Sequence, residues 1–238
     1  MDITSPQNAT VKCLVNLRKD GQYRAESRRY LIDGPRAVET ALKAAPGRIE
    51  RIILSEALAG DFFSGFRAAA AALVLSSNPT EPPFVPFGSD APALLTVTGD
   101  VYKKISGARA PQGVMALVRL PDVALETVCR KPNGLLLVLD AVQDPGNVGT
   151  LIRSAAAFGA IGVVCLNGGA DPWNDKAVRS SAGAIAAIDC VRTTDEQFFK
   201  TTDELAVKGY KREWIGTTSH AGDRKSTRLN SSHESPTR

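Results

Sequence analysis

Gly134-Leu-Leu-Leu-Val-Leu-Asp140-Ala-Val-Gln-Asp144-Pro-Gly-Asn-Val-Gly149-Thr-Leu-Ile-Arg153-Ser-Ala155 is the stretch from which the architecture of this 238-residue chain can be read. Leu135 to Leu139 is apolar without alternation, the pattern of a strand buried on both faces of a parallel sheet. A loop follows, and a helix is expected from about Val148 to Phe158, with Gly159 as its stop and Asn147 as a candidate N-cap. Gly146 and Gly149 allow unusual backbone angles or the close approach of another chain segment. The loop thus joins the carboxyl end of a strand to the start of a helix, where open α/β sheets place their ligands and where free N–H groups favour anions. It carries neither the GxGxxG nor the Walker pattern. Arg153 lies about one and a half turns into the helix, among small and apolar neighbours. A phosphate contact and a snorkelling surface arginine both suit that position.

The same alternation continues on either side. Ile161 to Leu166 reads as a strand, Lys176 to Ile188 as a helix, Cys190-Val191 as a short strand, Glu196 to Lys208 as a helix and Glu213 to Thr217 as a strand. Before the stretch, Pro6 to Lys19 reads as a helix, Tyr30 to Ile32 as a strand and Pro35 to Ala45 as a helix with proline at its first position. Ile49 to Leu54 follows as a strand, then an Ala-rich helix from Asp61 to Ala72 capped by Asp61, and Leu73 to Leu75 as a strand. After the prolines at 79, 82, 83 and 86 come a short helix around Val101–Ile105 and a strand from Gln112 to Leu120. The expected class is α/β with two domains: a small N-terminal domain over 1–120, a linker over 121–133 marked by Pro121, Pro132 and Asn133, and a parallel-sheet domain over 134–222.

Composition narrows the chemistry. With 43% hydrophobic and 23% charged residues, the chain has ample material for a core. Its longest apolar run is far below the ~18 residues of a membrane helix, and the start lacks the features of a signal peptide. Cys13, Cys129, Cys165 and Cys190 are widely spaced and form no metal-binding cluster, so a reduced, cytoplasmic setting without a metal is expected. The only histidines, His220 and His233, lie near the C-terminus, which leaves little for His-based triads or multi-His metal sites.

The formal net charge is +4 and unevenly spread. Met1 to Arg36 carries seven bases against four acids, whereas 37–222 is nearly neutral. Lys12, Arg18, Arg24, Arg28, Arg29 and Arg36, interleaved with Tyr23 and Tyr30, are candidates for contacts to a phosphate backbone. A solvated helix face fits the same charges. The final segment, 223–238, has no apolar periodicity. Asp223-Arg-Lys-Ser-Thr-Arg-Leu-Asn-Ser-Ser-His233 resembles the translation of a sequencing-library adaptor, and the natural gene is expected to end its contribution near Gly222.

Asp144-Pro-Gly-Asn-Val-Gly149 followed by Arg153-Ser-Ala closely resembles the first motif of the SpoU (TrmH-type) RNA ribose 2′-O-methyltransferases. Asp171-Pro-Trp-Asn174 and Lys176-Ala-Val-Arg179-Ser-Ser181-Ala-Gly183-Ala184 are similar to the second, with Asp175 where the family usually has proline. Ile3-Thr-Ser-Pro-Gln-Asn8, Asp33-Gly-Pro-Arg36 and Pro111-Gln-Gly-Val114 resemble, in order, parts of that family's accessory substrate-binding domain. The resemblance implies a small α/β substrate-binding domain followed by a parallel-sheet methyltransferase domain of the trefoil-knot (SPOUT) type. It implies methyl transfer from S-adenosylmethionine to a ribose 2′-hydroxyl of structured RNA, ribosomal ahead of transfer RNA, by a protein that is a homodimer at full length.

Carried over by position, Asn147 holds the loop and Arg153 is the principal catalytic residue, while Lys176, Arg179 and Ser181 meet RNA from the second loop-helix. Helix capping and packing is the plain alternative for Ser181. A guanidinium holds its proton too tightly to be a good base, so Arg153 is expected to grip the target phosphate and stabilise the developing alkoxide. The family's third motif, which supplies much of the cofactor pocket, has no counterpart here. The expectation is therefore an incomplete knot, weak cofactor binding and no activity in this chain as written, and micromolar cofactor affinity in calorimetry would contradict it. Two other readings remain open: a non-catalytic RNA-binding module of the same fold, and a nucleotide-using α/β enzyme with Asp144–Gly149 as its phosphate loop.

Overall fold

The computed structural model describes residues 2–76, 94–132, 134–210 and 212–217. The N-terminal unit runs β1 (Asp2–Ile3), α1 (Ala9–Lys19), α2 (Gly21–Ser27), β2 (Arg29–Asp33), α3 (Pro35–Ala44), a 3-10 turn, β3 (Ile49–Leu54), α4 (Glu56–Ala59), α5 (Phe62–Ser76), β4 (Leu94–Val97), α6 (Gly99–Ser106) and β5 (Val114–Arg119). Its five strands lie in the order β1-β4-β3-β5-β2. β1, β4 and β3 are parallel, and β5 is antiparallel to both β3 and β2.

Helix starts are set by local chemistry. Asn8 caps α1 by accepting the Thr10 N–H at 2.8 Å, and Asp20 caps α2 through the N–H groups of Gln22 and Tyr23. Gly34, at φ 106°, makes the tight passage from β2 into α3, where Pro35 occupies the first turn. Alternation along the strands divides the core. Ile53 and Leu117 face α1 and α6 through Leu14, Leu17, Val101 and Ile105. Ile52 and Ala116 face the opposite way, toward Val38, Ala41 and Phe66.

The second unit runs α7 (Leu125–Arg130), β6 (Leu136–Leu139), α8 (Pro145–Ala157), β7 (Gly162–Cys165), α9 (Asp175–Ser180), a 3-10 turn at Ala184–Ala186, β8 (Cys190–Arg192) and α10 (Asp195–Val207). β6, β7 and β8 form a parallel sheet in that order, with Leu136 opposite Gly162 and Val163 opposite Cys190. One face packs on α7 and α10 through Val164, Cys129, Phe198 and Leu205. The other packs on α8 and α9, and its apolar layer of Val148, Ile152, Ala177 and Ile185 is continuous with the layer under β2 and α3 of the first unit. Gly183, at φ 88°, marks this closeness: a Cβ there would stand 2.6 Å from the Ala37 carbonyl oxygen. Among the described residues no helix is long and apolar enough to cross a membrane.

Several local expectations give way. Leu73–Leu75 is not a strand: α5 runs on to Ser76, because an Ala- and Leu-rich run without a breaker propagates the helix. The strands missed from sequence are β1 and β4. The stretch 121–133, read as a linker, contains α7, whose Val128 and Cys129 are buried. The expected helix Lys176–Ile188 stops at Ser180, where Ala182 and Gly183 take positive φ and turn the chain into the 3-10 segment. Residues 213–217 form no strand; the segment is coil held by the Arg212 guanidinium on the carbonyls of Cys129 and Lys131, with Trp214 edge-on to Phe198. The Pro-rich run at 79–86 and the 223–238 segment lie outside the described residues.

Candidate functional site

The quoted loop is built by the two sheet strands beside it. After β6 the chain turns through Ala141 at φ 49°, and the Gln143 side-chain amide donates to the Gly168 carbonyl in the loop that follows β7. The Ala170 N–H donates to the Val142 carbonyl at 2.9 Å, tying the same loops a second time. α8 then begins one turn earlier than expected. Its N-cap is Asp144, not Asn147, with Pro145 in the first turn. The Asp144 carboxylate accepts the Asn147 N–H at 3.0 Å, and Asn147 sits exposed inside the first turn. An Asp directly before a proline at the first helical position is a start signal, which the glycine at 146 obscured.

Asp144 also receives the Lys176 ammonium at 2.6 Å, which fastens the start of α8 to the start of α9. The hydrogen bond from Lys176 and then the Asn147 N–H hold the Asp144 carboxyl below its usual value of 3.8. A depressed folded-state pKa means the contribution is complete above the unfolded value and is lost as pH falls through the folded one. Asp144→Asn is therefore expected to lower the melting temperature slightly at neutral pH and to converge on the parent as pH falls below about 4, as a scanning-calorimetry pH series would show. Both partners are largely exposed, so the pair serves placement more than stability.

α8 and α9 cross at Gly149. A Cβ there would collide with the Ala177 carbonyl and stand 2.8 Å from the Ser180 Cβ, so only glycine lets the helices approach this closely. Gly149→Ala should cost about 1–3 kcal/mol in urea unfolding and displace the Lys176–Asp144 contact. In α9, Asn174 caps the helix by accepting the Lys176 N–H at 2.9 Å, and Arg179 pairs with Asp175 at 2.6 Å. Burial pushes the Asp175 carboxyl above its usual range, while Arg179 and Arg18 pull it back.

Arg153 stands exposed two turns along α8, on the face of Gly146 and Thr150, since seven residues return to the same side of a helix. It has no hydrogen bond or ion pair among the described residues. The corner formed by the two helix starts thus presents Asn147, Thr150, Arg153 and Lys176 to solvent.

Other candidates fare differently. Arg24 does not face RNA: it is 3% exposed, and its Nε and Nη2 both reach Asp171 Oδ2, at 2.9 and 2.6 Å. Its Nη1 donates to the carbonyls of Leu17 and Arg18. Arg29 is likewise buried, paired through two nitrogens with Glu50. Ser181 is fully buried and donates to the Val178 carbonyl at 2.6 Å, closing α9. Arg18 is half-buried against Gly107 at the seam between the units. Arg28 pairs on the surface with Asp122, and Lys12 and Arg36 are exposed. The residues missed as organisers are Asp144 and Asp171. Asp171 accepts from Arg24 and also, through Oδ1, from the Trp173 N–H, which opens the turn leading to Asn174 and α9.

Comparison with known proteins agrees with this layout. Residues 134–234 match the SpoU rRNA Methylase family, and residues 8–116 match an MRM3-like substrate binding domain. The first match runs into the segment read from sequence as adaptor-derived. The 23S rRNA (guanosine(2553)-2'-O)-methyltransferase RlmP of Bacillus subtilis is 30% identical over 211 residues, covering 88% of this chain and 71% of that protein. The human mitochondrial rRNA methyltransferase 3 is 27% identical over 187 residues, covering 77% of this chain and 39% of that one. The AdoMet-bound rRNA methyltransferase of Sinorhizobium meliloti superposes with a TM-score of 0.68 at 25% identity, covering 85% of this chain and 68% of that one.

An accessory α/β domain packed on a parallel-sheet unit with a cationic two-helix corner is the layout of a two-domain RNA-modifying enzyme. The chain belongs to the SpoU rRNA methylase family.

S-adenosylmethionine is the cofactor of this family. The described residues at the α8 corner do not enclose such a group. The loops after β6 and β7 are drawn together by their own hydrogen bonds, and a Cβ on Gly169 would already stand 3.3 Å from the Val142 backbone. A cavity of about 460 Å³ lies in the N-terminal unit, and a small one lies at the seam.

Proposed function

We propose that the protein methylates a ribose 2′-hydroxyl of ribosomal RNA, with S-adenosylmethionine as methyl donor. The observation that carries the reading is the exposed, unpartnered Arg153 on the first-motif helix of this family. Its five N–H donors form a fork suited to a phosphate next to the target ribose, and its permanent charge stabilises the alkoxide as the 2′-hydroxyl loses its proton. Lys176 is a second cation at the corner, already held by Asp144. Asn147 sits beside that pair and its role is to keep the loop in place. Exposed Lys12 and Arg36 of the N-terminal unit, with Arg179 of α9, remain as further phosphate contacts.

Ribosomal rather than transfer RNA is favoured by what the named relatives modify. A homodimer and a reducing, cytoplasmic setting are part of the same proposal; the four free cysteines are in keeping with the latter. The test is to disrupt the gene and quantify 2′-O-methylnucleosides in purified ribosomal and transfer RNA by mass spectrometry. Loss of one 2′-O-methyl from ribosomal RNA is expected. Loss from transfer RNA would move the substrate class, and no loss from either would remove the reading.

A further inference from the structure

We propose that the cleft at the carboxyl edge of the N-terminal sheet receives one unpaired base of the bound RNA, guanine in preference to the others. This rests on the RNA-modifying reading above and names a contact far from Arg153 in sequence. The cleft has a volume of about 460 Å³, within the range of about 300–1,000 Å³ typical of small-ligand sites. It opens where the parallel strands β1, β3 and β4 end together, the edge at which α/β sheets bind ligands.

Its lining selects among RNA groups. Ile3, Ala57 and Val97 supply apolar walls that suit the flat face of a base. The carboxylates of Asp2 and Glu56 have no partner among the described residues. Ser55 is fully buried at the start of α4, and its hydroxyl has no hydrogen-bond partner. A buried hydroxyl left unmade is costly, which points to a group that completes it. The lining has no Lys, Arg or His, so a phosphate would meet only negative charge there. Acceptors call for N–H donors. Guanine is the base whose Watson–Crick edge sets two of them, N1–H and the N2 amino group, side by side to match one carboxylate. Such edge recognition on a splayed-out base is how single-stranded RNA is read in sequence. The sugar-phosphate strand would stay outside the cleft, away from its carboxylates.

The test uses the full chain and fluorescence anisotropy with uridine nonamers carrying a central guanine, inosine, adenine or cytosine, beside an all-uridine control. The guanine oligomer is expected to bind at least about fivefold tighter than the adenine and cytosine ones, with inosine, which lacks the N2 amino group, in between. The Asp2→Asn, Glu56→Gln double variant, isosteric and at exposed positions, should abolish that preference without changing the affinity for the all-uridine control. Ser55→Ala should reduce the preference in the same sense. RNA binding without a guanine preference, or a preference intact in the double variant, overturns the pocket alone. Failure to bind any of these oligomers or ribosomal RNA overturns both the pocket and the reading beneath it.

Discussion

Replacing Arg153 by alanine is expected to lower methylation of the target ribose by about two to three orders of magnitude, the loss typical of removing one preorganised donor from a transition state. The fold should scarcely notice. Arg153 is exposed and has no partner among the described residues, so its removal should change unfolding free energy by no more than about 0.5 kcal/mol. Arg153→Lys keeps the charge but loses the planar fork, and should remain at least about tenfold slower than the parent. Methylation time courses, paired with urea unfolding of each variant, separate the two effects. Undiminished turnover in the lysine variant would remove the fork-shaped phosphate contact and leave only a charge requirement.

Arg24→Met has the second large effect, on stability. The substitution keeps the aliphatic stem but strips a guanidinium that makes four hydrogen bonds in a nearly dry seam. Asp171, 17% exposed in its side chain, is left as a charge with no cation, and the carbonyls of Leu17 and Arg18 lose their donor. Breaking one side of a buried pair costs about 3–5 kcal/mol, and the partial exposure of Asp171 places the expectation at the lower end. The double variant Arg24→Met, Asp171→Leu should recover part of the loss, because no orphaned charge remains. The consequences extend beyond stability. Asp171 also holds the Trp173 N–H, Asn174 then caps α9, and Lys176 from that helix start grips Asp144. Arg24 therefore fixes the N-terminal unit against the segment that positions the Asp144–Lys176 corner. Equilibrium unfolding in urea measures the first effect, and a double-mutant cycle measures the coupling.

The order of elements was legible because strands such as Ile49–Leu54 and Leu136–Leu139 are apolar runs bounded by clear punctuation, and helices such as α3 begin at a proline after glycine. What failed were places where tertiary contact decides. Leu73–Leu75 is as apolar as a strand, yet helix propagation from the alanines before it prevails. The break after Ser180 is set by Gly183 fitting against Ala37, a contact between distant segments that no local pattern displays.

The site followed the same rule. Arg153 and Lys176, read from sequence as catalytic and RNA-contacting candidates, both stand exposed at the corner of the two helix starts. Arg24 and Arg29 looked like surface cations because charge was counted without knowing that Asp171 and Glu50 stand opposite them. Asp144 was given no role of its own, because its partner Lys176 lies 32 residues further along the chain. Its actual work is to cap α8 and hold Lys176.

The central claim is that this protein places a methyl group on a ribose 2′-oxygen through the Arg153 corner. Alkaline hydrolysis of ribosomal RNA tests it most directly, because a methylated 2′-oxygen can no longer attack the neighbouring phosphate and leaves a gap in the ladder. Ribosomal RNA from cells lacking the gene should lose one gap, which the intact gene restores and the Arg153→Ala allele does not. A ladder unchanged by the deletion, or a gap fully restored by the Arg153→Ala allele, would contradict the account.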